Sequence, residues 1–131
     1  MPECIIKGHG IDIVDVGDFS ALLSGERATY LTHYFTQNEL LDIPPDQRRM
    51  PRLAGRFAAK EAILKSLFTG WGDGVSFTDI EILSQENGAP EATLHRKLDA
   101  LAKSKNINKL HISISHTEKF AAASCIAACE I

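Results

Sequence analysis

The chain switches between helical and strand periods, and its clearest helical signal lies at its centre. Over Arg52 to Phe68, RLAGRFAAKEAILKSLF, Leu53, Phe57, Leu64 and Phe68 recur on one stripe, which predicts a helix around which the remaining elements are organised. Glu61 falls inside this stripe, four residues after Phe57 and three before Leu64, so a carboxylate is aimed at the core. An ionised carboxylate leaves water at a large cost unless a cation, a set of donors or a raised pKa compensates. Lys65, one turn on, is a candidate partner. Arg52, Arg56 and Lys60 line an adjacent basic stripe, and Ala54, Ala58 and Ala62 leave a third face small enough for close packing.

The flanking pattern predicts strands and short helices. Cys4 to Val16 is rich in Ile and Val and reads as a buried strand broken at Gly8-His9-Gly10. Asp12, set among Ile11, Ile13 and Val14, is a second acid in apolar surroundings, and taken alone it reads as a structural acceptor. Asp18 caps a helix predicted to run to about Phe35, and Thr36 with Glu39 forms a capping box for a shorter helix ending before Pro44-Pro45. Pro44 to Pro51 reads as an exposed loop, and the glycines of TGWGDG terminate the central helix.

Beyond that loop, Val75 to Ser84 and Glu91 to Leu94 read as a hairpin turning at Asn87-Gly88, followed by a helix over His95 to Lys105. Leu110 to Ser115 and Phe120 to Cys129 are strands joined by a short link that begins with His116. An imidazole at a strand end serves structure or binds phosphate.

Composition narrows the class. With 131 residues, 44% of them apolar, the chain fits one domain, residues 1–131, with an ordinary core. Cys4, Cys125 and Cys129 form no CxxC pair and no secretory leader pattern is present, which points to a reduced cytoplasmic protein. The longest uncharged apolar-rich run, Phe120 to Cys129, has about half the length a membrane helix requires, so no membrane span is expected. The net charge of -3 conceals an asymmetry, because residues 45–65 carry six bases against two acids. Such a patch attracts phosphates or an acidic partner, unless it is a solvated helix face.

Two acids in apolar settings, bases on the same helix and a histidine at a strand end suit Mg²⁺ and a phosphoanhydride substrate. Zinc is not supported, because no Cys/His cluster has ligand spacing, and no Ser-His-Asp or Cys-His arrangement stands out.

GIDIV around Asp12, GRFAAKEAILKSL around Glu61, TGWG, SFTDIEI, NGAP and SISHT follow in order along nearly the whole chain. In this the sequence resembles the holo-acyl-carrier-protein synthase family of 4'-phosphopantetheinyl transferases, with GxD and FxxKExxxK as the specific core of the likeness. The resemblance implies an α+β fold, an antiparallel sheet packed against a long central helix, and a homotrimer with active sites between subunits. It implies transfer of 4'-phosphopantetheine from coenzyme A to a serine of an apo acyl carrier protein, releasing adenosine 3',5'-bisphosphate.

By the same resemblance Asp12 and Glu61 hold Mg²⁺, Glu61 is also the general base, and Lys65 neutralises the β-phosphate region. Arg56, His116 and Thr117 match contacts to CoA phosphates, His116 being counted with the catalytic set, and Asn87, Gly88 and Pro90 match the hairpin beside the adenine. No nucleic-acid partner is expected. Small residues at Ala121, Ala123, Cys125 and Ala127 would suit tight packing near a trimer axis.

Two positions depart from the family pattern. Asp18 stands where a base usually grips the acidic carrier, leaving Arg27, Arg48, Arg49 or Arg52 to supply that surface, and Ala89 replaces a frequent base in the hairpin turn. The competing readings are a non-catalytic CoA-binding or carrier-docking module with the same fold, and a Mg²⁺-dependent hydrolase of CoA or a similar diphosphate.

Overall fold

A computed structural model describes residues 3–24, 30–72 and 74–131. Residues 25–29 of the first predicted helix, Arg27 among them, and Asp73 of the glycine loop lie outside the described residues. The elements run β1 (Cys4–Asp15), α1 (Val16–Leu23), α2 (Tyr30–Tyr34), α3 (Gln37–Asp42), α4 (Arg49–Ser66), β2 (Ile80–Ser84), β3 (Pro90–Leu94), α5 (Arg96–Ser104), β4 (Lys109–His116) and β5 (Phe120–Glu130). A three-stranded antiparallel sheet has the order β1-β5-β4, and β2 pairs with β3 as a separate hairpin.

The 18-residue helix α4 crosses one face of the larger sheet. What permits this is small residues on both sides. Ala123, Cys125 and Ala127 of β5 are buried in a core containing Ala58, Ala59 and Ala62 of α4, and Ala121 in a second one containing Ala54. The small face of β5 is therefore occupied within the chain, which corrects the expectation that it serves a trimer axis. Burial pushes the Cys125 thiol pKa up, partly opposed by its hydrogen bond with Ser66, and the cysteine is a packing residue.

Gly8 and Gly10 do not break β1 as predicted. The strand continues through both, with a register irregularity between Ile6 and Gly8. A Cβ at Gly8 would lie 2.0 Å from Ser66 O, and one at Gly10 2.0 Å from Ala62 O, so both glycines let the strand lie directly on the helix backbone. Two residues of strand advance about as far as one helical turn, roughly 6 Å. The step from Gly8 to Gly10 is matched by the step from Ser66 to Ala62, so β1 runs along α4, and Asp12 follows two residues beyond Gly10.

Other boundaries shift for local reasons. Asp15, not Asp18, caps α1, its carboxylate accepting the Asp18 N–H at 2.9 Å. The predicted capping box at Thr36 and Glu39 is formed. The strand predicted from Val75 begins only at Ile80, because Asp79 accepts the Ser76 N–H and closes a 3₁₀ turn over Phe77–Asp79. Gly88, at φ 86°, turns the hairpin, where the Asn87 side chain also accepts the Ala89 N–H.

Candidate active site

Asp12 pairs with Ala123 in the sheet, which places it on the face covered by α4. Its side chain is 19% exposed, and Oδ1 lies 3.1 Å from Lys65 Nζ, which also donates to Ile11 O at 3.0 Å. Lys65 therefore answers Asp12 across the β1–α4 contact rather than Glu61 along its own helix. Glu61 is half-buried at the rim and does not point into the core: Leu53 and Leu64 of its stripe are buried, but Phe57 is only partly so and Phe68 lies beyond the helix, 74% exposed, at φ 55°. Its Oε1 accepts a hydrogen bond from Trp71 Nε1 at 2.8 Å.

Two of the three bases of the stripe, Arg56 and Lys60, are consumed inside the molecule. Lys60 is fully buried, 2.7 Å from Glu39 Oε1, and donates to Tyr34 O and Phe77 O. Burial holds its ammonium below the usual lysine range despite the attraction of Glu39. Arg56 donates to Ile82 O, Ser84 Oγ and the Asp42 carboxylate, and Arg52 lies 3.5 Å from Asp46. Arg56 thus braces β2 through Ile82 and Ser84, on the strand leading to the Asn87 turn.

The remaining sequence-predicted residues lie across the sheet. His116 ends β4 and is exposed on the α4 side, pairing with Ala121. Thr117 ties the following turn, its Oγ1 accepting the N–H groups of Lys119 and Phe120. Pro90 of the hairpin shares a groove with β4, whereas Asp12 is on β1, the opposite edge. Asp12 and Lys65 thus meet at the β1 edge of the sheet, whereas His116 closes the far end of β4 and the Pro90 groove opens on the start of that strand.

Sequence reasoning missed Trp71, which it absorbed into a terminating loop. A lone indole donor shortly after a helix bearing a rim carboxylate was the available signal. It also read Glu39 only as a capping residue, although this carboxylate accepts from Thr36 N, Ile82 N and Lys60 at once.

Oxygen-only donors from β1 and α4 suit a hard divalent cation, and the ammonium of Lys65 already rests against Asp12 as a positive charge. Among the described residues, no three His, Cys, Asp or Glu side chains converge, so such an ion would take its other ligands from water or substrate. No helix among the described residues is long and apolar enough to cross a membrane.

Comparison with known proteins identifies the family. The family model of the 4'-phosphopantetheinyl transferase superfamily matches residues 8–125. A holo-[acyl-carrier-protein] synthase from Halothermothrix orenii is 40% identical over 91% of this chain and 94% of its own, and one from Protochlamydia amoebophila is 42% identical over 88% and 93%. The crystal structure of the Neisseria meningitidis holo-[acyl-carrier-protein] synthase superposes with a TM-score of 0.84 at 32% identity, covering 94% of this chain and 98% of that one. The Helicobacter pylori enzyme in complex with coenzyme A gives 0.78 at 31%, covering 91% and 98%. By sequence and by fold, the chain belongs to the holo-acyl-carrier-protein synthase family of 4'-phosphopantetheinyl transferases.

Proposed function

We propose that this chain, a 4'-phosphopantetheinyl transferase by family, moves the phosphopantetheine arm of coenzyme A onto a serine of an apo acyl carrier protein in a Mg²⁺-dependent reaction. The observation that carries the reading is the contact of Asp12 with Lys65 where β1 lies on α4, one helical turn after Glu61. Asp12 and Glu61 would hold the metal, which when bound spreads charge from the pyrophosphate under attack. Glu61, directly or through a water, takes the proton of the carrier serine as its oxygen bonds to the β-phosphorus. The bond from that phosphorus to the bridging oxygen breaks, and adenosine 3',5'-bisphosphate departs with the electron pair. Lys65 neutralises the phosphate oxygens on this path.

His116, Thr117 and the Asn87, Gly88, Pro90 turn are assigned to the nucleotide end of CoA, contributed by a neighbouring subunit. Two features support a homotrimer completed in this way. Asp12 and Lys65 meet at the β1 edge of the sheet, and His116 ends β4, the opposite edge strand. The sheet face away from α4 exposes Ile11 at 64% and Ile13 at 69%, and a hollow lined by Ile11, Asp12, Ile13, Lys65 and Ala122 joins that apolar surface to the acid. A second copy seated there would border Asp12 directly. Arg56, which braces β2, is assigned to the same CoA end.

Intact mass spectrometry of apo carrier proteins incubated with the protein, CoA and Mg²⁺, beside an EDTA control, tests this. The expected result is a metal-dependent gain of one phosphopantetheine mass on a carrier. CoA binding without transfer to any carrier would overturn it in favour of a non-catalytic module, and bisphosphate release without a carrier would indicate a hydrolase. The trimer is tested by light scattering, with Ile11→Lys and Ile13→Lys expected to yield monomers.

A further inference from the structure

We infer that Trp71 is a positioning residue that fixes the Glu61 carboxylate for metal binding, an inference that rests on the reading of Glu61 given above. The indole N–H engages one carboxylate oxygen, Oε1, at 2.8 Å. Its ring lies 3.8 Å from the Phe77 ring, which stacks on Phe57 at 5.4 Å and meets Tyr34 edge-on at 4.7 Å. Phe77 is itself held through its carbonyl, which accepts from the buried Lys60 at 2.9 Å. The loop before Trp71 is tied down as well, with Phe68 N donating to Lys65 O and Thr69 N to Leu64 O.

Glu61 thus hangs from a continuous set of fixed contacts that begins at a fully buried ammonium and ends at its own oxygen. A glutamate at the rim of a helix otherwise samples several rotamers, and each must be frozen when the ion binds. The indole removes that freedom beforehand by a bond to one oxygen, and it carries no charge to compete with a cation. This is how outer contacts orient a metal-binding carboxylate, and losing such a contact typically costs about 10- to 100-fold in metal affinity or activity. Satisfying the indole alone does not require this arrangement, since a stacked tryptophan at a loop surface can donate to water.

The chain has one tryptophan, so its emission reports this site alone. Titration with Mn²⁺, a paramagnetic quencher, should quench Trp71 saturably, and Glu61→Gln should abolish the saturable component. Trp71→Phe keeps a stacking ring and removes the N–H. It should raise the Mg²⁺ concentration for half-maximal transfer roughly tenfold, with KM for CoA at saturating Mg²⁺ and the thermal midpoint close to the parent. Replacing the tryptophan by β-(3-benzothienyl)alanine exchanges the N–H for sulfur in an almost isosteric ring, and should reproduce that shift even if the phenylalanine variant folds poorly. A parental Mg²⁺ dependence in these variants, with Glu61→Gln inactive, overturns the positioning role and leaves the active-site reading intact. A parental Mg²⁺ dependence in Glu61→Gln itself overturns the reading of Glu61 and this inference with it.

Discussion

Lys65 Nζ lies 3.1 Å from Asp12 Oδ1, joining β1 to α4, the two elements that carry the proposed metal-binding acids. The ammonium occupies the surroundings of a carboxylate that is also assigned to a divalent cation, so the two positive charges compete for it until phosphate arrives. Lys65→Met should therefore lower the Mg²⁺ concentration needed for half-saturation, while kcat/KM for CoA at saturating Mg²⁺ falls on the order of 10²-fold. Because the lysine side chain is half exposed, the thermal midpoint should barely move. A Mg²⁺ titration of both proteins separates these effects, and unchanged kcat/KM would remove Lys65 from the mechanism.

The Lys60–Glu39 pair is the opposite case, with both side chains at 0% exposure. Lys60→Met leaves a buried carboxylate uncompensated and should destabilise the fold by about 3–5 kcal/mol, whereas Lys60→Met with Glu39→Gln should recover much of the loss. Urea denaturation measures both. Desolvation lowers the folded-state pKa of Lys60 from 10.5, with Glu39 only partly opposing it. Between that lowered value and 10.5 the unfolded chain binds more protons, so the contribution of Lys60 to stability rises with pH there, and its cost is fully present below the folded pKa. The double variant should lose this rising alkaline component.

Gly10→Ala tests whether the close approach of β1 to α4 makes the site. The added Cβ would meet Ala62 O at 2.0 Å and the Lys65 Cβ at 2.9 Å, neither of which can yield without moving backbone or helix. A destabilisation of about 1–3 kcal/mol is expected from overpacking. The Mg²⁺ dependence of transfer should shift as well, because Asp12 is carried off with the strand. Stability loss with parental metal dependence would detach the acid from the packing argument.

Much of this arrangement was legible in the sequence. Helix α4, the Asn87-Gly88 hairpin and the last two strands follow from period and turn chemistry, which are local. The partners of charged side chains were not legible, because they are set by elements distant in sequence. Arg56 reads as one step of a basic stripe until β2 brings Ile82 O to it, and Lys60 reads the same way until Glu39 arrives from α3. Gly8 and Gly10 look like a break in an isolated strand, and only the helix backbone against them shows that they permit contact. Glu61 was misjudged for a related reason: helical spacing places it between Phe57 and Leu64 but cannot show that Leu64 enters the core while Phe57 and Glu61 border it.

Asp42 supplies an acid-side prediction. Desolvation alone would raise its pKa, but the Ser84 N–H and the Arg56 guanidinium together outweigh that and hold it below 3.8. A carboxylate depressed in the folded state contributes stability above its unfolded pKa and loses it as pH falls through the folded value. Asp42→Asn should therefore lower stability at neutral pH and flatten the acid limb below 3.8. Parallel acid limbs in the two proteins would show that the group is not coupled to folding.

The final prediction concerns the carrier, because Asp18 puts an acid in the first turn of α1 where a base was looked for. With Lys60 and Arg56 consumed internally and Arg52 paired with Asp46, the positive charge left near the start of α4 is that of Arg48, which is exposed, and Arg49, whose Nε is buried without a hydrogen-bond partner among the described residues. An acidic carrier surface would find its counter-charge there rather than on α1. Reversing both, Arg48→Glu with Arg49→Glu, should raise KM for the carrier roughly tenfold or more and weaken its salt dependence, because rim charges act mainly on encounter. KM for CoA should change little, since this surface is separate from the Asp12–Lys65 edge. Steady-state kinetics with each substrate varied in turn decides the matter: equal effects on both would mean that the arginines serve the fold or the nucleotide, and the carrier would then have to be gripped elsewhere.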